Sequence, residues 1–256
     1  MKGEQIMTDT FVANLSVIGQ IREALEYLGK TNIPVNANCR TVDLLSNIWD
    51  EYKKPVNTTT GTLWDECKKP VNVTTETPRA YHDFSHVVNG IHSIQAIANE
   101  FPLFLDSFMP AHQWHQLVIA YLLHDIVFKI PDPDHRNEIE SAEMAATLLR
   151  KVHIPETDIE EIRKLIIATT PFVIPNTNAE KLIKDIDLQT LSNPLQFQQA
   201  EFLIRLENSD VESSKFEEGR KEFWKTYLKI HDNVVFRTPF FSRHNTAALN
   251  NIKASL

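Results

Sequence analysis

Three short segments carry side chains able to bind a metal ion or move a proton. The first, RAYHDFSH, places His82 and His86 four positions apart. On a helix, residues at i and i+4 share a face, so both imidazoles can meet one ion there. Alternatively, one binds the ion while the other handles a proton. The second is the His124-Asp125 pair inside YLLHDIVF, the most apolar stretch of the chain. A carboxylate in such surroundings needs a metal or a buried arginine as partner, because an unpaired charge there is costly. The third, KDIDLQTL, holds Asp185 and Asp187 two positions apart. On a helix these two point to different sides, so at most one faces a common site, and periodicity leaves the choice open.

The order His, then His-Asp, then Asp, each on a separate predicted helix, resembles the HD-domain superfamily of metal-dependent phosphohydrolases. The blocks RAYHDFSHV, HDIVF followed by NEIESAEMA, IRKLIIATT, KDIDLQTLS and EEGRKEFWKTYL are together similar to one bacterial subfamily. The resemblance as a whole runs from about Trp49 to near the C-terminus. The resemblance implies that His86, His124, Asp125 and one of Asp185 or Asp187 bind the metal. It favours Asp187, because the aspartate before leucine is the usual ligand in related helices. YHDFSH is also similar to the Tyr-His-Asn-x-x-His of cyclic-nucleotide phosphodiesterases, which implies His82 as general acid and His86 as ligand. In the Asn-Glu-x-x-Ser-Ala block, Glu138 is implied to hold the attacking water or a second metal. Arg79, Arg205 and Arg220 are candidates for substrate phosphate, since the planar guanidinium fork matches that group.

A mixed nitrogen and oxygen donor set suits Mn, Fe, Co, Ni or Zn better than calcium. One such divalent ion lowers the pKa of water and polarises a phosphoryl oxygen. A histidine beside a carboxylate stays protonated at neutral pH and can serve the leaving group. The expected activity is hydrolysis of a small phosphorylated metabolite, with a nucleotide as the leading choice. The bond type, phosphomonoester, phosphodiester or pyrophosphate, stays open. Relatives carry a histidine after the Leu-Ile-x-Ala-Thr block, where TTPFVIP has none. His135 and His153 stand at spacings that do not match a dinuclear site. One metal is therefore expected rather than two, which also counts against an iron-dependent oxygenase. The alternative function is a degenerate module that binds a nucleotide or partner without turnover.

The elements that must position these residues read as an all-α helical bundle. Only six glycines occur, and apolar residues recur at helical spacing. Helices are expected over about 9–28, 42–51, from Asp83, from Pro110 through Phe128, and over Asn137 to Val152. More are expected from Thr157, over 178–191, 195–207 and 212–231, and after Asn245. Thr157 with Glu160 three residues later forms a capping-box pattern.

WDEYKKPVNTTT (49–60) recurs as WDECKKPVNVTT (64–75), identical at ten of twelve positions. Occurring only twice, this is not a solenoid repeat. It reads as a duplicated surface loop at about 49–78 within a single domain. Net charge is −8, which excludes a broad nucleic-acid-binding face but not a small phosphorylated ligand. No apolar run is long enough to span a membrane, and the N-terminus lacks a signal-peptide pattern. Cys39 and Cys67 have neither metal nor disulfide-framework spacing, so a cytoplasmic protein is expected. The sequence does not fix an oligomeric state.

Overall fold

The computed structural model describes residues 47–256 apart from positions 49, 56, 65–69, 102–104, 106, 131 and 133, together with Gly19, Ile21 and Ala24. Residues 57–64 and 70–76 are described by their backbone. In chain order the elements are β1 (Asn57–Trp64), β2 (Pro70–Thr77), α1 (Phe84–Glu100), α2 (Ala111–Leu123), α3 (Asn137–Lys151) and α4 (Glu156–Ala168). They continue with α5 (Asn178–Asp187), α6 (Pro194–Glu207), α7 (Ser213–Ile230) and α8 (Asn245–Ala254). Most of the first two expected helices lies outside the described residues. Gly19, Ile21, Ala24, Asn47 and Ile48 are helical, and Ile21, Ala24 and Ile48 are buried in the main core.

The protein is an all-α helical bundle organised around α2. Every residue from Gln116 to Leu123 is buried, and a helix apolar on all sides must be surrounded. α1, α3, α4 and α5 pack against it. A second apolar cluster, including Phe197, Trp224, Tyr227 and Ile252, joins α6, α7 and α8. No helix among the described residues is long and apolar enough to cross a membrane.

One glycine makes room for a ring between α1 and α2. A Cβ on Gly90 of α1 would lie 1.9 Å from the Tyr121 ring of α2. The bare backbone lets that ring sit against α1, beside His86 one turn earlier.

Four local expectations are corrected. α2 stops at Leu123 instead of running through Phe128, leaving His124 as its C-cap and Asp125 in the following turn. The turn is held by Ile126 N–H on the Leu123 carbonyl (3.2 Å) and by the Tyr52 hydroxyl on the Leu122 carbonyl (2.9 Å). α4 starts behind Pro155, whose carbonyl accepts from Asp158 and Ile159, so Thr157 lies within the first turn and caps nothing. The capping box belongs instead to Thr177 and Glu180 of α5. α5 ends at Asp187 rather than continuing to Leu191, and a 3₁₀ turn over Gln189–Ser192 follows.

The fourth correction concerns the duplicated segment, which forms an antiparallel ribbon rather than an irregular loop. Its ladder pairs Thr59 with Thr75 and Thr60 with Thr74, joining the tail of one copy to the tail of the other. β-Branched residues favour the extended chain, and the duplication supplies each tail with a partner strand.

Candidate metal centre

His86 reaches the centre from the first turn of α1. Asp83 caps that helix, accepting from the N–H groups of Ser85 (2.8 Å) and His86 (3.1 Å). His82 therefore lies ahead of the helix, in a bend, and the two histidines do not share a helical face as the i, i+4 spacing suggested. Their rings nevertheless stand edge to face, with centroids 6.2 Å apart.

His124 arrives from the end of α2. Its Nδ1 is 2.7 Å from the Tyr121 carbonyl. A carbonyl only accepts, so Nδ1 carries the proton and the neutral ring presents the Nε2 lone pair inward. That Nε2 lies 3.3 Å from His86 Nε2 and 3.3 Å from Asp187 Oδ1. His86 Nε2 lies 3.1 Å from the same oxygen. His86, His124 and Asp187 thus form a group able to hold a metal ion, with all three donor atoms within 4.8 Å of one another.

Asp125 adds a carboxylate whose Oδ2 is 3.0 Å from His124 Nε2 and 3.8 Å from His86 Nε2. Among the described residues this buried oxygen has the two imidazoles as neighbours but no well-aligned hydrogen-bond donor, a costly state for a carboxylate. Ligand bonds of roughly 2.1 Å place neighbouring donors about 3.0–3.4 Å apart. The observed separations fall close to that range, so the residues fit a divalent ion. Burial opposes ionisation of both aspartates. The facing histidines outweigh it and lower both pKa values. His124 moves the other way: burial works against its charged form, but Asp125 and Asp187 prevail and raise its pKa well above the usual value. The carboxylates favour a cation on that lone pair.

Asp185 has a different task. Nearly 200° around α5 from Asp187, it accepts from the backbone N–H groups of Arg237 (3.0 Å) and Thr238 (2.7 Å) and from the Thr238 hydroxyl (2.7 Å). It anchors the segment after α7. Of the two aspartates, Asp187 alone belongs to the metal-binding group.

A cavity of about 450 Å³ opens onto the centre, lined among others by His82, His124, Asp125, Glu138 and Asp187. His82 is stacked on Phe128 at 3.9 Å between centroids, and its Nδ1 bonds Glu207 Oε2 at 2.8 Å. The other Glu207 oxygen accepts from the N–H groups of Ala80 (2.9 Å), Tyr81 (2.8 Å) and His82 (2.9 Å). Burial disfavours the His82 imidazolium, but the Glu207 charge and hydrogen bond outweigh it and raise the pKa. Glu138, at the start of α3, has its pKa pushed up to about 7 by burial, with Asp125 and Asp132 adding to the effect.

The rest of the Asn-Glu-x-x-Ser-Ala block is structural. Asn137 bonds both backbone groups of Lys129 (3.0 Å each), and the Ser141 hydroxyl bonds both of Val127 (3.1 Å each). Together they bind the chain that follows Asp125 to α3, with Glu138 between them on the cavity side.

The three arginines separate. Arg79 donates to the carbonyls of Asp125 (2.6 Å) and Ile126 (3.0 Å), holding the turn that carries Asp125. Arg205 binds the carbonyls of Asn208 and Val211 beyond α6. Neither lines the cavity. Arg220 does, in an ion pair with Glu201. Of the remaining histidines, His135 also lines the cavity, with a left-handed φ of 50°. His153 instead ends α3, where a left-handed residue is ordinary.

Sequence reasoning missed Glu207, Tyr121 and Lys184. Glu207 carried one signal. It is the last residue of α6, where the helix dipole disfavours an acid, so a stabilising partner had to exist elsewhere. Lys184 is buried and donates to the carbonyls of Ala168, Thr170 and Val173. Burial lowers its pKa to about 8. Comparisons with protein-family models, curated proteins and solved structures find no match.

Proposed function

We propose that the protein is a metal-dependent hydrolase of phosphate esters or anhydrides, of the HD type, acting on a small phosphorylated metabolite such as a nucleotide. One observation carries the reading. A metal-type cluster and a histidine held by a buried carboxylate face the same cavity. Asp125, whose buried oxygen lacks a well-aligned donor, completes the proposed ligand set of His86, His124 and Asp187. A divalent ion held there supplies Lewis acidity toward water and a phosphoryl oxygen.

The chain's own groups divide the remaining work. Glu207 occupies Nδ1 of His82, so the ring presents Nε2 to the cavity. Its raised pKa favours the protonated ring, which can donate to the departing oxygen. The stack on Phe128 fixes the ring plane. Glu138, titrating near neutrality, is suited to accept a proton from water.

The test is elemental analysis of the purified protein, then a phosphate-release screen over nucleotides with that metal supplied. Asp125→Ala is expected to lose metal and turnover together. Retention of both would overturn the assignment. Stoichiometric metal with no phosphate release from any ester would favour a binding module instead.

A further inference from the structure

The charge inventory of the cavity narrows the substrate class, on the basis of the hydrolase reading above. Six carboxylates line it against three ammonium or guanidinium groups. With Glu138 protonated and His82 as the imidazolium, five carboxylates face four cationic side chains, and two of those carboxylates, Asp125 and Asp187, serve the proposed ion. Each cation is already engaged. Lys129 pairs with Glu140. Lys184 donates to three backbone carbonyls. Arg220 pairs with Glu201, Nε to Oε2 at 3.1 Å, while lying 5.0 Å over the ring of Trp224. Among the described residues no lining lysine or arginine is left for a second or third phosphoryl group. Such a group would meet no free lysine or arginine to compensate its charge.

Part of the remaining wall is aromatic. Phe128, Phe197, Phe223, Trp224 and Tyr227 all face the cavity, and Phe197 and Trp224 belong to the second core. Flat side chains around a space of about 450 Å³ suit a planar, uncharged organic group.

We infer that the substrate carries a single phosphoryl group on an aromatic or heteroaromatic organic moiety, and that di- and triphosphates are discriminated against. In the reaction, water oxygen bonds to phosphorus and the bond from phosphorus to the organic oxygen breaks. A proton delivered by His82 ends on that departing oxygen, and inorganic phosphate leaves.

The experiment compares a nucleoside monophosphate with its di- and triphosphate, and phenyl phosphate with glycerol phosphate, on the full-length metal-loaded protein. kcat/KM should fall about tenfold or more from mono- to diphosphate and from phenyl to glycerol phosphate. Equal or faster turnover of the di- or triphosphate would overturn the inference. Glu201→Gln removes an acid and releases Arg220, so it should raise the diphosphate-to-monophosphate ratio about threefold or more. An unchanged ratio in a folded variant would count against the charge argument.

Equilibrium dialysis separates this inference from the hydrolase reading. If no ester is turned over, the hydrolase reading fails on its own. Tighter binding of the monophosphate than of the triphosphate still supports the charge argument, and the reverse order overturns it.

Discussion

Glu207 holds His82 by two routes, bonding its ring Nδ1 with one oxygen and its backbone N–H with the other. The carboxylate therefore sets both where the imidazole sits and when it is charged. Glu207→Gln keeps the shape and an acceptor but removes the charge. The raised His82 pKa should fall, so the alkaline limb of kcat moves to lower pH. kcat above neutrality should drop roughly 10- to 100-fold, measured as a pH–rate profile. The stability effect has its own window. His82, with a raised pKa, stabilises the fold fully below its ordinary 6.5, and this fades as pH rises through the folded value. Glu207, with a lowered pKa, contributes above its ordinary 4.5, and this fades as pH falls. The variant should lose most Tm between those two values. A pH profile identical to the native one would refute the positioning role.

The contact of Gly90 with Tyr121 predicts a long-range effect on metal binding. A methyl group at Gly90 would overlap the ring, and the ring cannot yield easily inside a packed core. Gly90→Ala should cost about 1–3 kcal/mol and displace Tyr121, whose carbonyl fixes the His124 tautomer. Metal content after dialysis should fall along with Tm. A stable variant with full metal would show that the helices tolerate wider spacing.

Much of the centre was legible in the sequence because the residues able to hold a metal ion, His86, His124 and Asp187, fall in order on or beside elements with strong periodicity. The apolar run before His124 announced a buried helix. Asp187 before Leu188 carried the resemblance that favoured it over Asp185. The sequence could not show that α2 stops before His124, because Tyr52 and Arg79, which hold the turn, are remote in the chain. Glu207 was hidden for the same reason, lying 125 positions from the ring it supports. The ribbon was misread because neither copy of the duplication forms a strand until the other pairs with it.

Asp185 and Asp187 give a paired experiment in which each variant controls for the other. Asp187→Asn should abolish metal binding, judged by elemental analysis, with little loss of Tm in the metal-free protein. Asp185→Asn should keep the metal and lose stability, because its hydrogen bonds to Arg237 and Thr238 weaken. Bonds to a charged group of this kind are worth roughly 1.5–3 kcal/mol. Burial raises the Asp185 pKa to about 6 from an ordinary 3.8, so the native protein gains stability as pH falls through 6 and its advantage over the Asn variant should widen there. The opposite pattern, metal lost with Asp185→Asn and kept with Asp187→Asn, would exchange the two roles.

Glu138 allows stability and function to be pulled apart. Its pKa of about 7, above an ordinary 4.5, means that the fold favours the protonated acid. The associated stability is therefore present below 4.5 and is lost as pH rises through 7. Glu138→Gln mimics the protonated form and avoids that loss. Without metal it should be more stable than the native protein at pH 8 by roughly 1 kcal/mol, after discounting for partial exposure. That corresponds to about 2–4 °C in Tm for a chain of this size, and the two proteins should converge near pH 4. A group that only supports the fold would not be kept in a form that weakens it at neutral pH. A variant that gains Tm yet loses phosphate release would mark Glu138 as retained for the reaction. A gain in stability with turnover intact would remove it from the mechanism.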